Sequence, residues 1–141
     1  MTPRTRTLEE VAIGETLPEL AVDVTPTLVI SGAIASRDLT RVHHDQAEAQ
    51  RRGLQGVIMN TMTTNGLVSR FVTDWAGPEA LVRRIRLKLG APNVAGDRMT
   101  VSGRVESVDT ERGEVSIEVA AKNSWGSHAS GSVRLALPRG A

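Results

Sequence analysis

Apolar residues follow two different periods along the chain, one in each half. In the first half they recur three or four positions apart, which is the spacing of a helix with one buried face. Three helices are predicted there, from residue 26 to about 37, from 46 to 52 and from about 61 to 76. In the second half apolar residues alternate with polar ones, which is the period of a strand with one buried face.

Capping residues mark the ends of the predicted helices. Thr25 is a suitable N-cap and precedes a proline at the first helical position. Asp45 opens the second helix with the spacing of a capping box. The longest helix begins near Asn60 or Thr61, and Gly77 with the proline after it predicts its end.

The alternating half predicts four strands joined by short turns, and a shorter strand precedes the helices. Strands in series with short turns favour an antiparallel meander, and the long helix is expected to lie on it as an α+β fold. A lone copy of such a sheet would expose its edges, so pairing with a second chain through an edge strand is expected. The predicted strands cover residues 81–89, 99–108, 115–120 and 133–137, with the early one around 16–24.

The amino-acid composition argues against several classes of function. The 141 residues carry 17 Lys and Arg against 16 Asp and Glu, a net charge of +1, which gives no electrostatic argument for nucleic acid or an anionic membrane. Cysteine is absent, which excludes disulfides, thiolate metal sites and a cysteine nucleophile. The only aromatic residues are Phe71, Trp75 and Trp125, too few for base stacking. Phe71 and Trp75 lie one helical turn apart and are predicted to anchor the long helix to the sheet.

The length is that of one ordinary domain, and no linker divides it, so residues 1–141 are expected to form a single domain. No apolar segment resembles a signal peptide, and none approaches the ~20 residues of a membrane span. We therefore expect a cytoplasmic protein.

Candidate chemistry concentrates in residues 38–45, which read DLTRVHHD. Asp38 and His43 are five positions apart, about 140° around a helix, so they share a site only if the helix ends near Asp38 and the chain turns back. A carboxylate and an imidazole brought together can hold one water and accept its proton. The alternative is that residues 38–45 form a solvated surface loop.

No metal site is expected, because His43 and His44 are adjacent and no third ligand has zinc-like spacing. The third histidine, His128, is predicted to lie on the surface.

Residues 60–65, NTMTTN, open the long helix with small polar side chains. They are suited to capping, and the free amides of Asn60 and Thr61 are also suited to binding a ligand oxygen. The sequence contains no nucleophile elbow, phosphate loop or dinucleotide fingerprint.

Residues 38–45 resemble the motif of MaoC-like (R)-specific enoyl-CoA hydratases, Asp-x-Asn-Pro-aliphatic-His-x-Asp. Residues 14–18 (GETLP) and 92–97 (PNVAGD) are similar to two further segments of that family. Residues 35–38 with 42–45, and the string VTDWAGP at 72–78, are similar to the small subunits of actinobacterial steroid side-chain hydratases within it. The chain departs from the general pattern at Thr40 and Arg41, in place of Asn-Pro, and at residues 59–61, in place of Ala-His-Gly.

The resemblance implies a hotdog fold, in which a sheet wraps a long central helix. It implies addition of water to a trans-2-enoyl-CoA with a bulky, steroid-like acyl group, with Asp38 and His43 as catalytic residues and Asn60 and Thr61 at the thioester oxygen. Coenzyme A is then part of the substrate, and no cofactor or metal is implied. The implied partner is a second, larger MaoC-like chain in a heteromer, or otherwise a second copy. Two alternatives are a non-catalytic subunit that completes a partner's pocket and an acyl-CoA thioesterase.

Overall fold

The computed structural model describes residues 3–140 of the chain. Three helices precede four of the five strands, and two short 3-10 turns lie at Leu8–Glu10 and Arg41–His43. The helices are α1 (Pro26–Ala35), α2 (Gln46–Arg51) and α3 (Thr61–Ala76). The strands are β1 (Leu20–Asp23), β2 (Leu81–Leu89), β3 (Arg98–Asp109), β4 (Glu114–Asn123) and β5 (Gly126–Ala136).

The predicted helix starts are confirmed by side-chain caps. The side-chain oxygens of Thr25, Asp45 and Asn60 each accept a hydrogen bond, 3.0 Å long, from the backbone N–H three residues later. Each bond satisfies one of the N–H groups that a first helical turn leaves without a partner. Helix α1 ends at Ala35, slightly earlier than predicted, because the chain turns back at Arg37.

All five predicted strands are present, although β5 begins at Gly126, well before the predicted 133, and β1 is shorter than the predicted 16–24. The predicted meander of four strands in series is wrong. The order across the antiparallel sheet is β1-β3-β4-β5-β2, so β2 lies beside β5 and not beside β3. Residues 90–97 form a connection rather than a tight turn. The N–H groups of Gly90 and Ala91 bond to the carbonyls of His128 and Ser127, which continues the pairing with β5. Val94 then makes an isolated bridge to Ile58 before the chain enters β3.

Helix α3 lies on the sheet and supplies much of the core. Val68, Phe71 and Val72 are buried in the same core as Ile117 and the inward-facing valines of β3, β4 and β5. Phe71 is the core anchor that the sequence predicts. Trp75 packs at the margin, half-buried, where its Nε1 donates to Glu15 at 3.3 Å. The aliphatic core follows from the scarcity of aromatic residues in the sequence.

No helix within residues 3–140 has both the length and the apolar character needed to cross a bilayer.

Candidate active site

The end of α1 places Asp38. Arg37 has a positive φ of 57°, its N–H bonds to the carbonyl of Ile34 at 3.0 Å, and the Asp38 N–H bonds to that of Ala33 at 2.9 Å. These two bonds form a Schellman turn, a helix ending that usually has glycine at the position of Arg37. The turn reverses the chain and fixes the backbone of Asp38 against the last turn of α1.

The 3-10 turn Arg41–His43 then carries the chain back towards Asp38. His43 Nε2 lies 3.3 Å from Asp38 Oδ2, so the structure brings together the two side chains that the sequence selected. The helix ends before Asp38, as their shared site requires. His43 is nearly buried, whereas the carboxylate of Asp38 is partly exposed.

A backbone carbonyl fixes the tautomer of His43. The Nδ1 atom lies 2.7 Å from the carbonyl oxygen of Ile58. Because a carbonyl only accepts hydrogen bonds, Nδ1 carries the proton in that bond. In the neutral imidazole, Nε2 therefore presents a lone pair to the carboxylate of Asp38. Both acceptor atoms belong to residues that line one cavity, where a water molecule can donate a hydrogen bond to either of them.

Hydrogen-bond donors surround the carboxylate of Asp38. Bonds from the Thr40 side chain, the Asn60 amide and the Thr40 backbone N–H hold the pKa of Asp38 below its ordinary value, and nearby His43 adds to the effect. The Asn60 Nδ2 donates at 3.2 Å and the Thr40 N–H at 3.2 Å. Such donors favour the charged form, so Asp38 is a carboxylate at neutral pH.

Asn60 is buried, with 2% of its surface exposed, and its side chain is fully engaged. Nδ2 donates to Ser36 Oγ at 2.8 Å as well as to Asp38, while Oδ1 accepts from the N–H and the hydroxyl of Thr63. The side chain therefore holds the end of α1 against the start of α3. Any contact of residues 60–61 with a substrate oxygen falls to the backbone N–H groups and to the exposed Thr61 side chain.

A cavity of about 230 Å³ opens beside these residues. One wall is the Asp38 and His43 pair, and a second is residues 58–61 with Thr64. The third wall comes from Leu89 at the end of β2, from Gly90 and Pro92 after it, and from His128 on β5. The first turn of α3 thus faces the same space as the carboxylate and the imidazole.

His128 is not on the surface, and that prediction is wrong. It is 5% exposed, its Nδ1 donates to the carbonyl of Ala91 at 2.7 Å, and its Nε2 lies 2.9 Å from the hydroxyl of Thr64. The pairing of β4 with β5 slips between Ala121 and Lys122, opposite this residue. The bulge turns both His128 and Ala129 inwards, which breaks the alternation of an ordinary strand. Thr64, its buried partner, was also missed.

Within residues 3–140, no group of three or more His, Asp or Glu side chains is arranged to hold a metal ion. The polar groups of the site that the structure describes bond to one another and to the backbone.

Comparison with known proteins was made at the levels of family, sequence and structure. The model of the MaoC like domain matches residues 9–127. A Mycobacterium tuberculosis protein named 3-oxo-4,17-pregnadiene-20-carboxyl-CoA hydratase beta subunit is 42% identical over 125 residues, covering 89% of this chain and 95% of the relative.

Solved structures agree with that sequence match. A chain of the ChsH1-ChsH2 complex from M. tuberculosis superimposes with a TM-score of 0.86 and 41% identity, covering 89% of this chain and 98% of the other. An (R)-hydratase from A. caviae superimposes with a TM-score of 0.85 over 92% of this chain and 99% of its own. At 19% identity, the second likeness concerns the fold alone, which is the predicted hotdog fold.

Proposed function

The chain belongs to the MaoC-like domain family, and on that premise we propose that it is a subunit of a heteromeric enoyl-CoA hydratase. The relative that is 42% identical is named as a hydratase beta subunit. The observation that carries the proposal is the Asp38 and His43 pair, with its two acceptor atoms 3.3 Å apart at the wall of a cavity. The enzyme adds water to an enoyl-CoA and gives a 3-hydroxyacyl-CoA. It is classed as a hydro-lyase after the reverse reaction, which removes water.

Asp38 and His43 are proposed to activate one water molecule. The water donates one O–H to Asp38 Oδ2 and one to His43 Nε2. Because its hydrogen bonds keep the pKa of Asp38 low, that carboxylate is a weak base, and we assign it the orientation of the water. His43, whose Nδ1–H is bonded to Ile58, accepts the proton at Nε2.

The addition then follows from this placement. The water oxygen bonds to the β-carbon as the Cα–Cβ π bond breaks, and the electron pair moves onto the thioester oxygen. The proton held at Nε2 returns to the α-carbon from the same face. The backbone N–H groups at the start of α3, at Asn60 and Thr61, are proposed to stabilise the oxyanion, and losing one such donor typically costs about 3 kcal/mol in the transition state. No metal or cofactor takes part in this scheme.

The proposed substrate is a trans-2-enoyl-CoA with a steroid acyl group, formed during side-chain degradation in cholesterol catabolism. Support comes from the name of the M. tuberculosis relative, which specifies a pregnadiene carboxyl-CoA. Apart from Asp38, His43 and His128, the cavity is lined by apolar and small polar residues, and much of the ring system would have to be covered by a second chain. We also propose a cytoplasmic location, as the sequence predicts.

The proposed partner is a second, larger hotdog chain. The solved relative at 41% identity was crystallised as a ChsH1-ChsH2 complex. A sheet with exposed edge strands in one chain fits the same assembly.

The test is hydration of an enoyl-CoA by the complex purified with its partner. We expect Asp38→Asn and His43→Ala each to lower kcat by about 10²- to 10⁴-fold, the usual contribution of a positioned proton-transfer group. His44→Ala is the matched control, because His44 is the exposed neighbour of His43. Near wild-type turnover in both site variants would exclude the assigned roles.

The two alternatives give different results in the same preparations. A non-catalytic subunit predicts full hydration by a complex whose only change is Asp38→Asn. A thioesterase predicts hydrolysis of a saturated acyl-CoA. Against the thioesterase, the only carboxylate in α3 is Asp74 in its last turn, where it is exposed and paired with Arg70 at 3.3 Å, whereas the cavity faces the first turn.

A further inference from the structure

The two proposed catalytic side chains are fixed to different helices. Asp38 follows α1, and its N–H bonds to the carbonyl of Ala33 at 2.9 Å. His43 is fixed to the segment that leads into α3, because its Nδ1 bonds to the carbonyl of Ile58 and the Ile58 N–H bonds to that of Val42 at 3.1 Å. The 3.3 Å distance between Asp38 and His43 therefore depends on how closely α1 approaches α3.

Gly32 lies in α1 at its contact with Thr63 of α3, and its φ is not in the left-handed region. A Cβ at this position would overlap the hydroxyl oxygen of Thr63 and lie 3.1 Å from its Cγ2 and 3.2 Å from its Cβ. Thr63 is β-branched and its hydroxyl donates to Asn60 Oδ1 at 2.7 Å, so the side chain cannot turn away without losing that bond. Glycine is unfavourable inside a helix, so the close approach to Thr63 is the physical reason for a glycine here.

A line of hydrogen bonds joins Gly32 to the carboxylate of Asp38. The Ser36 hydroxyl donates to the Gly32 carbonyl at 2.8 Å and accepts from Asn60 Nδ2 at 2.8 Å. The same Nδ2 donates to Asp38 Oδ2 at 3.2 Å. These bonds cross from α1 to the first residue before α3, so they form only while the two helices are this close.

We propose that Gly32 is a positioning residue for the hydration reaction. Because it has no side chain, α1 approaches α3 closely enough for Asn60 to hold the carboxylate of Asp38 beside His43. Gly32 itself does not line the cavity of the two catalytic residues, so it acts through them and not on the substrate. The inference deepens the proposed function and relies on it for the role of Asp38.

The first measurement is hydration of an enoyl-CoA by the complex that contains Gly32→Ala. The added methyl group should push α1 away from α3, so kcat should fall by about 10- to 100-fold while KM changes less. Weakening of the bond from Asn60 raises the pKa of Asp38, so the acidic limb of the pH profile of kcat should move to higher pH. An NMR titration of the Asp38 carboxyl carbon in the full chain measures the same shift without turnover.

A second substitution, Thr63→Ala, should rescue the first. It removes the hydroxyl and the Cγ2 atom that the new methyl group would meet, and the remaining Cβ contact at 3.2 Å needs a shift of only a few tenths of an ångström. Thr63→Ala alone should change little, because the backbone N–H of residue 63 still donates to Asn60 Oδ1 at 3.0 Å. We expect G32A/T63A to have the kcat and the Asp38 titration of T63A.

Gly66→Ala is the matched control. Gly66 lies in α3 and lines the same groove as Gly32, about 410 Å³ in volume, but no atom lies within 4 Å of the position of its Cβ. The same chemical change at this position should leave the titration of Asp38 unchanged. Circular dichroism confirms that each variant is folded.

Two results would overturn the proposal. The first is a Gly32→Ala variant with the turnover and the Asp38 titration of the wild type. The second is a loss that persists in G32A/T63A, since contact with Thr63 would then not be its cause. If Gly32→Ala does not fold, G32A/T63A is compared with T63A: equal folding and turnover support the proposal, and an unfolded double variant overturns it. The titration needs no turnover, so its outcome is separate from full hydration by Asp38→Asn, which would exclude the proposed function.

Discussion

At the residue scale, Asn60 links the start of the long helix to the carboxylate of Asp38. Its Oδ1 caps α3 and its Nδ2 donates to Asp38 at 3.2 Å. A single amide thus fixes both the position and the charge state of the proposed catalytic carboxylate. Neither an alanine nor an acid at this position can do both.

Asn60→Asp should raise the pKa of Asp38. Aspartate keeps the N-cap, but it replaces a donor to Asp38 with a like charge, which disfavours the ionised form. The measurement is an NMR titration of the Asp38 carboxyl carbon. Asn60→Ala should raise the pKa less and also cost about 1 kcal/mol of stability through loss of the cap. An unchanged titration in both variants would contradict this role.

His128 joins three parts of the cavity wall. Its hydrogen bonds hold Ala91, in the connection after β2, and Thr64, in the first turns of α3. His128→Leu should lower the free energy of unfolding by about 1–3 kcal/mol, because it removes the hydrogen bonds that the imidazole makes with the Ala91 carbonyl and the buried Thr64 hydroxyl. Denaturant unfolding provides the measurement, with the exposed His44→Leu as the control. Equal stability of the two variants would refute the role.

Local sequence patterns reveal some residues of the site and miss others. Asp38 and His43 were identifiable because their spacing is local and matches a motif. The burial of His128 depends on a bulge in the pairing of two strands, which no local pattern reveals. The carbonyl of Ile58, fifteen residues from His43, fixes the tautomer through a contact that only the tertiary fold creates.

At the element scale, α1 ends in a conformation that its sequence does not favour. Arg37 occupies the left-handed region at φ 57°, where a side chain with a Cβ is strained. The turn is nevertheless required, because it reverses the chain into Asp38. Packing around the end of α1 therefore holds Arg37 in a strained conformation.

Arg37→Gly should stabilise the isolated chain by about 0.5–1 kcal/mol, because glycine adopts the left-handed region without strain. Urea unfolding measures the gain. Arg37→Ala is the control, since alanine keeps the Cβ and should give no such increase. If the two variants are equally stable, backbone strain at Arg37 is not the cause.

The bounds of the elements were more predictable than their arrangement. Caps at Thr25, Asp45 and Asn60 determined where helices begin, and alternation located the strands. The order of strands was not predictable, since β2 pairs with β5 across two intervening strands. Glu48 gives a similar example: an acidic residue in a short helix is buried because Arg52 and its neighbours fold over it.

At the scale of the whole molecule, hydrogen bonds to carboxylates link stability to pH. The bond from the Ser124 hydroxyl keeps the pKa of Asp97 low, and the Thr7 N–H does the same for Glu10. Carboxyl groups with lowered pKa values are Glu9, Glu10, Glu15, Asp38, Asp45 and Asp97. The unfolded chain binds protons at these groups more readily than the folded one.

Stability should therefore be complete above the ordinary carboxyl pKa values, near 4, and fall as pH drops through the lower values of the folded state. The measurement is the Tm between pH 6 and pH 2. Asp97→Asn should flatten the lower part of the curve, because it removes one of the contributing groups. A Tm that stays constant down to pH 3 would contradict the linkage.

The position of β5 also has a consequence for the order of events during synthesis. Of the five strands it leaves the ribosome last, yet it lies between β4 and β2 in the finished sheet. Strand β2 emerges more than thirty residues earlier and has no neighbour to pair with until β5 arrives. During that interval a chaperone, or the nascent chain of a partner made nearby, has access to both edges of β2. Completion of the sheet is thus a late step, and the contacts of His128 with Thr64 and Ala91 form with it.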